Sequence, residues 1–304
     1  MRRTFLNRIA QMIPNESDTV FMTVDIGMWA IRDALKKYPE RCMNVGIFED
    51  AMISVAAGMA KRGLVPTIFG IQPYLVERAF EQIKMDLVYQ KLGANIVGVG
   101  AAIDYSKYGY SHYCAEDFAI LKRLPGVEFI APGTADEFAS LFEQTYRNKR
   151  TTFFRISDHP NTLFNCPVTF GKANVIQRGK QATVIAVSVM LDMVMEACKD
   201  KDVTVLYYTT LAPFDSKTLL EECKNEKILI CEPHYTGSLD SEVLCAFEGK
   251  KVRIGHVGLP NEIFRNYGTY EEKMHYYGLN AETIANKLNQ LIESDCSIPQ
   301  KGGK

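Results

Sequence analysis

The chain has 304 residues, 47% of them hydrophobic, which is enough for two domains with buried cores. Its 35 basic and 36 acidic residues give a net charge of −1 without a basic stripe, and this argues against a nucleic-acid partner. No apolar run is long enough to span a membrane, and the eight cysteines show no CxxC pair or zinc spacing. We therefore expect a soluble protein of a reducing, cytoplasmic compartment.

The first part of the chain alternates β-rich runs with helical segments. An amphipathic helix is expected at the N-terminus, with Phe5, Leu6, Ile9 and Ile13 on its apolar face. Strands are then predicted at 20–24, 42–47, 67–69, 95–101, 128–131 and 152–155, with helices at 29–37, 51–61, 75–92, 116–124 and 135–147. This alternation predicts an α/β domain over residues 1–167, doubly wound around a parallel sheet.

After a turn-rich linker at 157–162 and Pro167, the same alternation starts again. Strands are predicted at 183–188, 203–208, 227–231 and 251–257, and helices at 191–198, 216–224, 241–246 and 281–293. We expect a second doubly wound domain over residues 168–293, and a flexible tail at 294–304.

The segment 46–52 (Gly-Ile-Phe-Glu-Asp-Ala-Met), followed by a stretch of small residues, places an acidic pair where an apolar strand gives way to a helix. Thiamine diphosphate enzymes of the transketolase family carry such a segment in their pyrimidine-binding domain, and this chain resembles them. The resemblance assigns Glu49 as the acid that hydrogen-bonds the aminopyrimidine ring and activates the cofactor. Judged alone, an acidic pair such as Glu49 and Asp50 more often simply begins a helix, whose dipole favours acidic side chains there and whose free N–H groups they cap.

The second block resembles the transketolase C-terminal domain. This resemblance rests on three segments: 230–239, which contains Glu232 and His234, a turn at 213–215 that begins with proline, and 257–260. The resemblance covers residues 15–293 and implies a thiamine diphosphate-binding pyrimidine domain followed by a transketolase C-terminal-like domain. For Glu232 and His234 it implies a structural role.

Four further residues have roles that the resemblance implies. His112, in the segment 108–112 where the family has Asp-Gly-Pro-Thr-His, would contact substrate and transfer protons, although Tyr108 replaces the family's Asp. Leu75 stands where the family stacks a Phe on the aminopyrimidine, a contact that Tyr74 could provide instead. Arg78 matches an arginine of the deoxyxylulose-phosphate synthases and implies an anionic substrate group, or else it is a helix-surface charge.

Two charged residues end predicted strands. Arg155 matches a family arginine that binds a sugar phosphate, and its alternative role is a salt bridge near the linker. Asp25 resembles a strand-end aspartate near the cofactor and the dimer interface of transketolases, and its alternative role is to cap the following helix.

The chain contains no Gly-Asp-Gly motif of the kind with which transketolases hold Mg²⁺ and the cofactor's diphosphate. The resemblance therefore implies the C-terminal half of a split transketolase, active with a separate N-terminal subunit in an α2β2 heterotetramer, while the chain alone could form a homodimer. The expected reaction moves a ketol or acyl unit from a ketose phosphate or 2-oxo acid to an aldehyde. The alternatives are the β subunit of a 2-oxo acid dehydrogenase and a non-catalytic scaffold paralogue.

Overall fold

Two mainly parallel β-sheets covered by helices organise the part of the chain that the computed structural model describes, residues 1–164 and 166–293. The α/β architecture predicted from the sequence is confirmed. The tail predicted at 294–304 lies outside the described residues. Within the described ranges, no helix has both the length and the apolar character needed to cross a membrane.

The first sheet contains six parallel strands from the first part of the chain. They are β1 (Thr19–Thr23), β2 (Cys42–Asn44), β3 (Val65–Ile71), β4 (Ala94–Val99), β5 (Glu128–Ile130) and β6 (Thr151–Ile156). All six pair in parallel, so their carboxyl ends meet at one edge of the sheet. Ligands of α/β proteins bind at this edge, which is therefore the place to look for a site.

Six helices accompany these strands: α1 (Arg2–Asn15), α2 (Met28–Lys37), α3 (Glu49–Lys61), α4 (Phe80–Gln82), α5 (Asp117–Leu121) and α6 (Ala135–Thr145). The predicted amphipathic helix at the N-terminus is confirmed, since α1 buries its apolar face completely. The Phe5 ring lies 5.3 Å from the Phe69 ring of β3 and 5.7 Å from the Phe138 ring of α6. This aromatic packing fixes α1 against the sheet.

The helix predicted at 75–92 is irregular in the structure. Wide π-helical turns at Tyr74–Arg78 and Ile83–Val88 flank the short α4. The physical reason is the spacing of its buried residues, since Leu75, Ala79, Ile83 and Leu87 follow one another at intervals of four and are all fully buried. A regular α-helix would rotate such a row away from the core, whereas wider turns keep it on one face.

The second part of the chain contributes β7 (Asn174–Gln177), β8 (Thr183–Val187), β9 (Thr204–Tyr208), β10 (Thr210–Ala212), β11 (Lys227–Tyr235) and β12 (Arg253–Leu259). Five of these form the second sheet, in the order β12-β11-β8-β9-β7, with β7 antiparallel. Its helices are α7 (Leu191–Ala197), α8 (Ser216–Glu222), α9 (Asp240–Ala246), α10 (Tyr270–Tyr276) and α11 (Ala281–Glu293).

Strand β10 joins the first sheet instead of the second. It pairs antiparallel with β5, with Thr210 opposite Ile130 and Ala212 opposite Phe129. The first sheet thus has seven strands in the order β10-β5-β6-β4-β3-β1-β2. A strand from the range predicted for the second domain therefore covers the edge of the first sheet, and the two halves share one hydrogen-bonded structure.

Candidate functional site

Glu49 lies at the carboxyl edge of the first sheet, where the chain leaves β2 and starts α3. Its side chain is 1% exposed because it continues the buried face of α3, which also carries Met52, Ile53 and Ala56 at helical spacing. The two preceding residues, Ile47 and Phe48, are 63% and 62% exposed. A buried carboxyl group is thus flanked by an exposed apolar surface.

Arg78 forms an ion pair with this carboxyl group. Its Nη1 atom donates a hydrogen bond to Glu49 Oε2 at 2.5 Å, and its guanidinium lies 4.6 Å from the centre of the Tyr74 ring. Glu49 and Asp50 are also the first two residues of α3, as the helix-start alternative expects, although no side chain caps this helix and its N-cap is Phe48. The Asp50 carboxylate accepts a hydrogen bond from the Ala51 N–H group.

His112 completes a group of four side chains with Glu49, Arg78 and Tyr74. The Tyr74 hydroxyl lies 3.5 Å from His112 Nε2, and the two ring centres are 5.6 Å apart. His112 ends a short 3₁₀ turn, and the Ser111 hydroxyl lies 3.1 Å from its Nδ1 atom. Partial burial lowers the pKa of His112, so its imidazole is neutral at pH 7 and able to accept a proton.

Aromatic rings surround this histidine. The Tyr108 ring centre lies 5.1 Å from that of His112, and the Tyr105 ring centre lies 6.4 Å away. Tyr108 remains 53% exposed. Burial raises the pKa of Tyr105 to about 12, so its phenol stays protonated. Tyr105 was not among the site residues predicted from the sequence, although it lies in the same tyrosine-rich segment as Tyr108.

Leu75, Arg155 and Asp25 make contacts of their own, different from those among these four side chains. Leu75 is fully buried against Gly70 of β3, so its side chain faces the core. Asp25 is exposed after β1, in a left-handed conformation with φ of 55°, and accepts a hydrogen bond from Asn44 Nδ2 at 2.6 Å. It does not cap α2, which has Gly27 as its N-cap.

Arg155 is 1% exposed and forms a buried ion pair. Its Nε atom donates to Asp117 Oδ2 at 2.8 Å, and its Nη2 atom donates to the Pro233 carbonyl oxygen of β11 at 2.8 Å. Gln72 also donates a hydrogen bond to Asp117. Burial raises the pKa of Asp117, and the Arg155 guanidinium opposes that shift. The geometry thus corresponds to the salt-bridge alternative for Arg155, at the junction of the two sheets.

Glu232 and His234, on β11, line the same junction. The Glu232 carboxylate accepts hydrogen bonds from the N–H groups of Gly237 and Ser238, and burial raises its pKa to about 8. His234 is fully buried, which lowers its pKa well below the usual value and leaves the ring neutral. Its Nε2 atom lies 3.6 Å from Asp117 Oδ1. Both residues are packed inside the protein, consistent with a structural role.

Three ligating side chains come together beside these residues. The ligand atoms of Glu77, Cys114 and Glu116 all lie within 4.8 Å of one another. Burial, followed by the charge of Glu116, raises the pKa of Glu77 to about 7, while a hydrogen bond with Cys114 acts in the opposite direction. A pKa near 7 lets the Glu77 carboxyl group hold a proton beside its two neighbours at neutral pH.

Taken together, these features define an α/β protein in which a buried glutamate at the carboxyl edge of the first sheet faces an arginine, a tyrosine and a histidine. Residues 1–159 match the model of the transketolase pyrimidine-binding domain, and residues 171–284 match that of the transketolase C-terminal domain. The chain belongs to the transketolase family. The resemblance found in the sequence is confirmed, and family membership implies dependence on thiamine diphosphate.

Relatives of similar length include components of split enzymes. The chain is 25% identical to an apulose-4-phosphate transketolase subunit of Phocaeicola vulgatus, covering 96% of this chain and 97% of the relative. It is 29% identical to an uncharacterized 33.6 kDa protein in the fasciation locus of Rhodococcoides fascians, covering 96% and 95%.

Two solved structures share the fold. One is described as a split gene transketolase, inactive beta4 tetramer, with a TM-score of 0.85, 23% identity and coverage of 96% of this chain and 97% of that chain. The other is the transketolase of Campylobacter jejuni, with a TM-score of 0.78 and 16% identity. It matches 95% of this chain but only 46% of its own. The fold of this chain thus corresponds to about half of that transketolase.

Proposed function

We propose that this chain is the pyrimidine-binding subunit of a two-subunit, thiamine diphosphate-dependent transketolase-like transferase. The enzyme moves a ketol or acyl unit from a ketose phosphate or a 2-oxo acid to an aldehyde acceptor. The observation that carries this proposal is the position of Glu49, buried at the carboxyl edge of the first sheet with Arg78, Tyr74 and His112 beside it. Relatives named as transketolase subunits, matched over nearly their whole length, support the two-subunit form and favour transketolase chemistry over a 2-oxo acid dehydrogenase or a scaffold.

The residues present fit the aminopyrimidine part of the cofactor. Glu49 offers a carboxyl group that is shielded from bulk water yet sits beside the exposed Ile47 and Phe48. A flat, partly apolar ring could therefore lie against these side chains with its nitrogen at the carboxyl group. When bound, thiamine diphosphate supplies the carbanion chemistry that cleaves a bond next to a carbonyl carbon.

Within this site the chain's own groups bind, orient and move protons. With the cofactor bound, the Glu49 carboxyl group, which the ion pair with Arg78 holds in position, would hydrogen-bond the ring nitrogen of the aminopyrimidine. His112, neutral because partial burial lowers its pKa, accepts a proton from a substrate hydroxyl group. Arg78 binds an anionic group of the substrate, and Tyr74 fixes the guanidinium by stacking on it. The predicted role of Asp25 near the cofactor remains a proposal, whereas Leu75 faces the core and Arg155 is held in its buried ion pair with Asp117, so we assign neither of these two a contact with cofactor or substrate.

The partner in this proposal is an N-terminal transketolase-like subunit that holds Mg²⁺ and the cofactor's diphosphate group, in an α2β2 complex of the cytoplasm. The exposed apolar residues Ile47 and Phe48, directly beside a buried acid, are the kind of surface that a second chain covers. The boundary between the two domains is proposed near residue 168.

The first experiment isolates the tagged chain from its native cells in thiamine diphosphate and Mg²⁺ and identifies copurifying proteins by mass spectrometry. A stoichiometric partner with a Gly-Asp-Gly motif is expected, and the complex is then assayed with ketose phosphates and 2-oxo acids. Recovery of this chain alone would argue against the two-subunit form.

The second experiment compares Glu49→Gln with Glu40→Gln in that complex, since the Glu40 side chain is 64% exposed. We expect Glu49→Gln to lower kcat by about 100-fold or more, the usual contribution of acid–base catalysis. Glu40→Gln should retain full activity. An active Glu49→Gln complex would refute the role of Glu49.

A further inference from the structure

Two adjoining cavities lie at the amino-terminal ends of the parallel strands of the first sheet, whereas Glu49 lies near the carboxyl ends. They have volumes of about 160 Å³ and 840 Å³ and share Lys91, Leu92, Lys149 and Arg150 in their walls. The starts of β3, β4 and β6 line them, so they occupy the amino-terminal edge of the parallel strands. A ligand bound there would not meet the site at the carboxyl edge.

The charged side chains that line these cavities are all basic. The walls contain six basic side chains and no acidic one: Lys84, Lys91, Arg123, Arg147, Lys149 and Arg150. Since the whole chain has 35 basic and 36 acidic residues, this is a local segregation of charge. Arg147 is neutralised by ion pairs with Asp18 and Glu16, whereas the other five form no ion pair with any described residue. We call these five residues the basic cleft.

The backbone holds part of the basic cleft in place. Lys91 and Lys149 have left-handed conformations, with φ of 56° and 60°, in the turns before β4 and β6. These turns touch, since a Cβ atom at Gly93 would clash with the backbone of Lys149. Two like-charged turns are thus packed against each other, an arrangement that a bound anion would stabilise.

An apolar wall continues the basic cleft on one side. Met85, Val88, Tyr89, Leu92 and Leu124 line the larger cavity, and the Tyr89 side chain is 75% exposed. An exposed tyrosine ring beside unpaired lysines and arginines suits a ligand that joins phosphate groups to a flat ring. The volume of about 840 Å³ lies within the usual range for small-molecule sites.

We propose that the basic cleft binds a nucleoside di- or triphosphate, with the phosphates on Lys91, Lys149 and Arg150 and the base against Tyr89. This site is independent of the proposed transferase site. It requires neither thiamine diphosphate nor the partner subunit, and it gives the enzyme a second place at which a phosphorylated metabolite is bound.

Calorimetric titration of the purified full-length chain with ADP tests this proposal, with pyrophosphate, adenosine and thiamine diphosphate as comparison ligands. We expect ADP to bind more tightly than pyrophosphate, adenosine to bind more weakly than either, and affinity to fall as salt rises. The Lys149→Glu/Arg150→Glu variant should lower ADP affinity at least 10-fold. The Lys250→Glu/Lys251→Glu variant has the same charge change at exposed positions elsewhere and should bind ADP normally.

A third variant isolates the ring contact. Tyr89→Ala should weaken ADP binding but leave pyrophosphate binding unchanged. The proposal is overturned if the wild-type chain does not bind ADP at millimolar concentration, if both charge-reversal variants lose affinity equally, or if thiamine diphosphate displaces ADP one for one. It is also overturned if Lys149→Glu/Arg150→Glu abolishes association with the copurifying subunit and leaves ADP binding intact, which would make the cleft a protein interface.

Discussion

Replacing Arg155 with Met should lower the free energy of unfolding, because this arginine stabilises the fold rather than contacting substrate. The guanidinium is 1% exposed, and its removal leaves the fully buried Asp117 carboxylate without its charged partner. Breaking a buried ion pair in this way typically costs about 3–5 kcal/mol. Because proteins of this kind are stable by about 5–15 kcal/mol, the substitution should remove a large part of the free energy of unfolding.

Guanidinium unfolding of the full-length chain at pH 7, followed by circular dichroism, measures this loss. The Arg155→Met/Asp117→Leu double variant should be more stable than Arg155→Met, because it removes the uncompensated charge. As a control, Arg178→Met breaks the exposed ion pair with Glu222 and should change the free energy of unfolding far less than Arg155→Met does. An Arg155→Met protein within about 1 kcal/mol of wild type, with a raised KM for a phosphorylated substrate, would refute the structural role and favour phosphate binding.

Two further predictions concern buried positions, Glu232 on β11 and Gly70 on β3. Burial raises the pKa of Glu232 from 4.5 to about 8. Between these two values the folded state retains a proton that the unfolded chain has lost. The free energy of unfolding should therefore fall as pH rises from about 5 to 8, by up to ~1.4 kcal/mol per pH unit. Glu232→Gln should make this pH dependence less steep in unfolding curves, while other buried carboxyl groups with a raised pKa, such as Asp104, still contribute. An unchanged slope would contradict the assignment. Gly70→Ala should cost about 1–3 kcal/mol, because its Cβ would lie 2.9 Å from Leu75 Cγ. In the control Gly58→Ala, the new Cβ meets no atom within 4 Å and lies inside α3, so this substitution should stabilise the protein by up to ~1 kcal/mol. An equal loss of stability in the Gly70→Ala and Gly58→Ala variants would contradict the packing argument.

Local patterns predicted most of the strands and helices because buried apolar runs are visible in a single sequence. The exceptions have physical reasons. The strand predicted at 42–47 ends at Asn44, since Gly46 takes a left-handed conformation with φ of 74°. Strand β11 was predicted to end at 231 but continues to Tyr235, because buried polar residues such as Glu232 and His234 interrupt the apolar pattern.

The candidate site was predicted in its parts but not in its contacts. Family resemblance identified Glu49, Arg78 and His112 separately, whereas their proximity depends on how β2, the irregular helix and the 3₁₀ turns are placed in space. No pattern in the sequence predicts that Arg155 is buried. Its partner Asp117 lies 38 residues away, and a buried arginine at a strand end looks the same in sequence as an exposed one.

Strand β10 comes from the second half of the chain but pairs with the first sheet, so the chain cannot be divided between its halves without breaking that sheet. A fragment ending near residue 168 would leave β5 with unpaired backbone groups along its outer side, and such an edge invites pairing with other chains. The same strand ties the halves together, so a hinge motion between them would have to break sheet hydrogen bonds. The protein is therefore best expressed and engineered as a single unit that keeps both sheets.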